Sequence, residues 1–233
     1  PGTYTMTASG LDIWNIADEF QFAYKELSGA WTIIAKVESL TNTDPFAKAG
    51  VMIRDTLDAG SKYAGVFVTP ANGVRFQYRP AADTITRREF VEGVTAPQWL
   101  RLERTGGGLV RAFYSADGTT WKLLNMTIVS MDMPVYIGLA VTSHNVDATC
   151  EAKFSNVSFP NTTVGPQWAD QDVGMLSNEA EPMYVTVGNG SGKKATVYHA
   201  DLIASQIGEW TEWNIPLMDL SNQGVVPTDV TKL

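Results

Sequence analysis

Cysteine, histidine and charge are all scarce in this chain. Cys150 is the sole cysteine among 233 residues, so no intrachain disulfide can form, and with two histidines a cysteine–histidine zinc site lacks ligands. No run of about 18 apolar residues is present, which leaves no candidate for a membrane-inserted helix. No signal peptide opens the chain, and that absence does not exclude secretion. Charged residues are 18% of the total, and 17 basic against 25 acidic side chains give a net charge of −8. Such a balance repels phosphate backbones and anionic lipid heads, so neither nucleic acid nor a membrane surface is an expected partner. What is present is a 44% hydrophobic content and 20 glycines, enough for a sizeable core in a loop-rich folded protein. The length suits one large β domain, or one domain and part of another. Low charge with abundant Thr, Ser, Asn and Gly fits an exported bacterial β module, placed outside the cell or on its surface.

Strand-like runs recur about every ten residues: "TIIAKVES" at 32–39, "AGVMIRD" at 49–55, "YAGVFVT" at 63–69, "GVRFQYR" at 73–79, "WLRLERT" at 99–105, "LVRAFYSA" at 109–116, "TWKLLNMT" at 120–127, "VYIGLAVTS" at 135–143 and "AKFSNVSF" at 152–159. Short strands at this spacing, with turn residues such as "PANG" at 70–73 between them, predict a sandwich or barrel. Cys150, at the edge of the last run, reads as a small buried hydrophobe. The uncharged "PNTTVGPQ" reads as a linker, so the expected division is a sandwich over 1–160, a linker over 161–169 and a second segment over 170–233. All eight arginines precede it. The second segment offers "PMYVTVG" at 182–188 and "KATVYHA" at 194–200, then a large apolar load in Tyr184, Tyr198, Trp210, Trp213 and Ile215. Few strands are available to enclose that load, so the segment is expected to pack on the sandwich or to be completed by another chain.

Three motifs suggest chemistry. "YSADGTTW" at 114–121 approaches the Asp-box of sialidases but is one residue short between Asp117 and Gly118, and Asp-Gly predicts a two-residue hairpin turn. "GNGSGKK" at 188–194 lacks the Walker spacing and joins two strand runs, so it too reads as a hairpin. Glycoside hydrolysis usually needs two convergent carboxylates. Asp18 and Glu19 are adjacent, and Glu89 and Glu92 are three apart, so on a strand each pair diverges. With no nucleophile elbow or zinc-protease helix either, the expectation is a protein that is not an enzyme.

Read with period two, 73–79 places Arg75, Gln77 and Arg79 opposite Val74, Phe76 and Tyr78, and 49–55 places Arg54 opposite Val51 and Ile53. If these strands share a sheet with 99–105, one outer face carries Arg54, Gln77, Arg79, Arg101 and Glu103. Planar polar groups of this kind grip hydroxyls or carboxylates in paired hydrogen bonds. A solvated face with cross-strand ion pairs is the competing reading.

The stretch "GTYTMTASGLDIWNIADEFQFAYKELSGAWTIIAKVES", with "PFAKAGVMIRD", "VFVTPANGVRFQYR", "APQWLRLERTGGGLVRAFYSADGTTW" and "VYIGLAVTSHN" in that order, resembles a known group. It is similar to concanavalin A-like jelly-roll (laminin-G-like) sandwiches related to the yeast regulator of enolase expression, over roughly residues 2–159. That resemblance implies an all-β fold of two packed antiparallel sheets, and carbohydrate or surface binding. The remainder resembles the start of a second small β-sandwich, and both ends look cut. The family also repeats the aromatic-bearing turns "DIWN" and "TSHN". The expected ligand-binding residues are therefore Trp14, Arg54, Gln77, Arg79, Arg101 and His144, with a polysaccharide or other glycan as partner. No cofactor is expected except that calcium, which such sandwiches sometimes carry, is left open near Asp44, Asp55 and Asp58. The alternative function is a structural subunit of an extracellular filament or coat, assembled with other copies by strand exchange.

Overall fold

The computed structural model describes residues 2–175, 183–201, 204, 212–226, 228 and 230–232. The chain divides into two compact units, Pro1–Met175 and Leu176–Leu233. In the first unit, one six-stranded sheet runs in the order β1 (Tyr4–Ala8), β14 (Cys150–Ser158), β5 (Trp31–Leu40), β10 (Gln98–Arg104), β11 (Leu109–Ser115), β12 (Lys122–Ile128). A seven-stranded sheet runs β15 (Ala169–Val173), β4 (Phe20–Leu27), β13 (Val135–Thr142), β6 (Lys48–Arg54), β7 (Tyr63–Val68), β8 (Val74–Arg79), β9 (Arg87–Val91). Every pairing in both sheets is antiparallel. Alternate residues supply the main core: Ile33, Ala35 and Val37 with Leu100 and Leu102 from one sheet, Val51, Ile53, Val66, Phe76 and Ile137 from the other. Strand alternation explains this, since side chains at i and i+2 share a face. Cys150 lies fully buried in that core, where burial pushes its thiol up to about 11 and leaves it inert.

The division falls at Met175, beyond the boundary read from composition. Strand β15, which spans the expected start of the second segment at 170, pairs along β4 from Ala169↔Tyr24 to Val173↔Phe20 and so completes the first sandwich. The residues before it are a strap rather than a free linker. Lys25 Nζ donates to the carbonyls of Gly165 and Gln167, both at 2.6 Å, and lies 4.6 Å from the centroid of the Trp168 ring. Trp168 in turn packs edge-on against Tyr4, with ring centroids 5.9 Å apart.

The connection after β11 is a hairpin, but not the expected two-residue turn. Strands β11 and β12 are separated by residues 116–121, and of the pair only Gly118 has positive φ, at 75°. The Asp117 carboxylate organises the loop instead, accepting from the backbone N–H of Thr119 at 2.8 Å and of Thr120 at 2.7 Å, and from Ser115 Oγ at 3.0 Å. Those donors favour the charged form and hold the carboxyl well below its ordinary range. A depressed carboxylate contributes order above its unfolded pKa and loses it as pH falls through the folded value. The Thr119 and Thr120 amides should therefore exchange slowly from pH 7 down to about 4, and rapidly in Asp117→Ala. Hydrogen exchange read by NMR at those two amides checks this, and unchanged protection in the variant would refute it.

The second unit contains the antiparallel sheet β17 (Lys194–Tyr198), β16 (Tyr184–Asn189), β18 (Val230–Lys232) and the short helix α1 (Leu217–Ser221). "GNGSGKK" joins β16 to β17, and the hairpin reading holds: Asn189 Oδ1 accepts from Lys193 N at 2.9 Å and Gly192 adopts φ 81°. Val187, Ala195, Leu220 and Val225 form a small core, with Ile215 packed against it. Tyr184 and Tyr198 face each other, ring centroids 5.6 Å apart, and Trp213 meets His199 at 4.9 Å. Trp210 lies outside the described residues.

Candidate functional site

The outer face of the seven-stranded sheet is largely roofed over. Register places Gly50 and Gly65 beside Phe67 on this face. A Cβ at either glycine would collide with Phe67, so their missing side chains make room for the ring. Phe67, Met52, Tyr63, Phe20, Phe22 and Ala140 are all buried there together with Ile13. Ile13 belongs to a small hairpin, β2 (Ile13–Trp14) and β3 (Ala17–Asp18), that crosses the face. Its backbone carbonyls are pinned from below: Gln77 Nε2 donates to Ile13 O at 3.2 Å and an Arg79 Nη donates to Trp14 O at 3.1 Å. The hairpin is thus held by a second apolar layer and by polar side chains of the sheet.

Under one end of that roof lies an ionic hub. Asp18, Arg54 and Arg79 are each 0% exposed. Asp18 Oδ2 accepts from Arg54 at 2.7 Å and from Arg79 at 2.8 Å, while Oδ1 accepts from Arg79 at 2.6 Å. The remaining guanidinium donors go to loop carbonyls, including Thr56 and Asp58 for Arg54 and Ser61 and Thr84 for Arg79. Burial pushes the Arg54 guanidinium down from its ordinary value, with Asp18 acting in the opposite direction. These arginines tie the hairpin and two loops to the sheet and have nothing left to offer a ligand.

The other end is open. A cleft of about 230 Å³ is lined by Asp12, Trp14, Phe46, Lys48, Arg75, Gln77, Arg88 and His144. Strands β8 and β9 bring Arg75 opposite Phe90 and Gln77 opposite Arg88, all on the outer face. The Arg75 guanidinium lies 4.9 Å from the centroid of Phe46 and 5.1 Å from that of Phe90; that of Arg88 lies 5.3 Å from Trp14. Lys48 is paired with Asp12 and donates to Phe46 O at 2.9 Å. His144, in the left-handed conformation at φ 54°, has Nδ1 3.3 Å from Asp12 Oδ2 without hydrogen-bond alignment, and Nε2 3.8 Å from Asp44. Three buried polar atoms of residues that line this cleft have no hydrogen-bond partner: Arg75 Nε, Gln77 Oε1 and His144 Nδ1.

Of the six residues expected to bind ligand, the structure therefore brings Trp14, Gln77 and His144 to one cleft. Arg54 and Arg79 do share the predicted face, but the hairpin buries them in the hub. Arg101 does not share it: β10 belongs to the six-stranded sheet, where Arg101 stacks on Phe113 at 4.0 Å and Trp121 at 4.7 Å and lies beside Glu103. Asp12, Phe46, Lys48, Arg75 and Arg88 line the cleft without being among the expected residues. Arg75 was legible from the alternation that placed it beside Gln77; Phe46 and Asp12 come from loops whose approach no local pattern announces. The calcium candidates do not converge. Asp55 is paired with Lys62 at 2.6 Å, Asp58 accepts from Thr56 Oγ1 at 2.8 Å and Asp44 accepts from Phe46 N at 2.7 Å. Among the described residues no group of three His, Cys, Asp or Glu side chains could hold a metal ion.

No protein-family model and no curated protein matches this sequence. Solved structures do. One is a functionally unknown protein from Saccharomyces cerevisiae, 20% identical with a TM-score of 0.56, the match covering 70% of this chain and 89% of that one. The fold is a concanavalin A-like sandwich of two antiparallel sheets. A mutant of the GH43 protein BlXynB from Bacillus licheniformis is 13% identical with a TM-score of 0.51, covering 68% of this chain and 33% of that one, so this chain corresponds to about a third of that protein. A legume lectin-like domain from Entamoeba histolytica is matched at 11% identity and a TM-score of 0.44, over 68% of this chain and 90% of that domain.

Proposed function

We propose that the sandwich unit is a non-catalytic carbohydrate-binding module of a secreted or cell-surface protein, with the Trp14 cleft as its ligand site. The observation that carries this reading is the lining of the cleft, which sets the aromatic rings of Trp14 and Phe46 beside the polar groups of Arg75, Gln77, Arg88 and His144. A ligand with both hydroxyl groups and apolar C–H faces, as a sugar has, is suited to cover the former and to hydrogen-bond the latter. The concanavalin A-like fold is analogy and adds weight only to the class of ligand.

The non-catalytic part rests on the carboxylates. Glycoside hydrolysis usually needs two, about 5–10 Å apart, one kept protonated. Asp12 is the single carboxylate lining the cleft among the described residues, and Lys48 engages it.

Affinity electrophoresis against a panel of neutral and acidic polysaccharides tests the reading. The wild type should be retarded by at least one of them, and Trp14→Ala should weaken that interaction about tenfold, which corresponds to 1.4 kcal/mol. Retardation by none of them, or by the same amount in the variant, would overturn it. Reducing ends should not accumulate in overnight incubations. Turnover that disappears in Asp12→Asn would make the protein an enzyme.

A further inference from the structure

The cleft holds more positive charge than its own carboxylate neutralises. Asp12 is taken by Lys48, and His144 lies near Asp12 and Asp44. Among the described residues, neither Arg75 nor Arg88 has a carboxylate within ion-pair distance. Both project from neighbouring strands onto the same face, their guanidinium groups 5.1 and 5.7 Å from the centroid of the Phe90 ring. Arg75 is only 6% exposed and lines the cleft, its guanidinium 4.9 Å from the centroid of the Phe46 ring and 5.1 Å from that of Phe90. Burial, and next the charge of Arg88, push the Arg75 guanidinium down from its ordinary value. Asp12 and Glu92 act on Arg75 in the opposite direction from beyond ion-pair distance, so in a chain of net charge −8 two guanidinium groups still line one cleft without a direct carboxylate partner.

We propose that the cleft selects acidic sugars, with Arg75 and Arg88, which line it together, receiving a uronate carboxylate. This rests on the carbohydrate-binding reading and narrows it. A carboxylate is planar and matches a guanidinium edge in two parallel hydrogen bonds, which are shorter and stronger than neutral ones. The Arg75 guanidinium lies against the Phe46 and Phe90 rings and is largely buried, so its place in the cleft is set before a ligand arrives. Arg88, exposed and stacked on Trp14, joins the charge reader to the ring on which the sugar's apolar face would rest.

The experiment is isothermal titration of the full chain with oligogalacturonate, oligoglucuronate and oligomannuronate, each compared with its methyl ester, which keeps the sugar and removes the charge. At least one free acid should bind tenfold or more tightly than its ester, and its affinity should fall as sodium chloride rises from 50 to about 500 mM, as exposed charge pairing is screened. Arg75→Gln should abolish the preference and Arg88→Gln, at an exposed position where folding is not at stake, should reduce it severalfold. Arg75→Lys, which keeps the charge but not the fork, should recover part of it. Trp14→Ala should weaken acid and ester alike. Equal binding of acid and ester, still lost in Trp14→Ala, would overturn the acidic selectivity and leave the carbohydrate reading standing. A preference that survives in both arginine variants would overturn their assignment. Failure of every acid and ester to bind would overturn this inference, and if the neutral polysaccharides also fail, the reading beneath it.

Discussion

Asp18→Asn should lower the stability of the sandwich unit by about 3–5 kcal/mol, enough to consume much of the 5–15 kcal/mol that a native domain typically has. The substitution keeps the shape of the side chain and removes its charge. Arg54 and Arg79 would remain fully buried with their shared counter-ion gone, and the new amide would point a donor at groups that are themselves donors only. Water cannot reach the site to compensate, so the cost is that of uncompensated charge in a low-dielectric interior. Urea denaturation followed by tryptophan fluorescence gives the number. Because the interaction is a network, a second measurement is informative: Asp18→Asn combined with Arg54→Met removes one of the two stranded charges and should be more stable than Asp18→Asn alone. A loss below about 1 kcal/mol in the single variant, or no recovery in the double one, would show that the hub is not what fastens the hairpin to the sheet.

Phe67→Ala should cost about 3–5 kcal/mol, although Phe67 faces away from the main core. On a sheet with one solvated face, an outward phenylalanine could be truncated with little effect. Here the ring is fully buried under the hairpin, seated over Gly50 and Gly65, whose lack of side chains means that nothing nearby can move in to fill the cavity. Phe90→Ala on the same face should cost under about 1 kcal/mol, since Phe90 is 43% exposed. The comparison separates a true second core from ordinary strand propensity. If the two variants lose stability equally, the layer between hairpin and sheet does not contribute as its burial implies.

Much of the fold was readable because strands with one face in a core write a period of two into the chain. The runs at 32–39, 49–55, 63–69, 73–79, 99–105, 109–116, 120–127, 135–143 and 152–159 all became strands, within a residue or two at most ends. Strand β4, "FQFAYKEL", alternates as well and lies outside those runs, whereas β15 and the β2–β3 hairpin lack the signature. Strand β15, "ADQDV", is acidic and polar, and becomes a strand because the exposed edge of β4 accepts it. The hairpin β2–β3 is two residues on each side and exists through what it lies on. The Asp-Gly pair at 117–118 was recognised as a hairpin signal, but the reach of the Asp117 carboxylate to two further amides decided the loop's length.

The site divides along the same line. Alternation alone determined that Arg54, Arg75, Gln77 and Arg79 leave the core side of their strands, because successive side chains must point to opposite faces. A single cysteine alone determined that no disulfide forms within the chain. Whether an outward arginine meets solvent, a carboxylate or a ligand depends on what else covers the face, and that is set by residues far away in sequence. The hairpin carrying Asp18 closes over Arg54 and Arg79, and stops short of Arg75; the loop carrying Phe46 and the strand carrying Arg88 then frame what it leaves open. Arg101 obeys the same alternation and ends on the opposite sheet, since strand pairing, which is a long-range choice, assigned β10 to β5 and β11. Local periodicity fixes which way a side chain points; only tertiary packing decides what it points at.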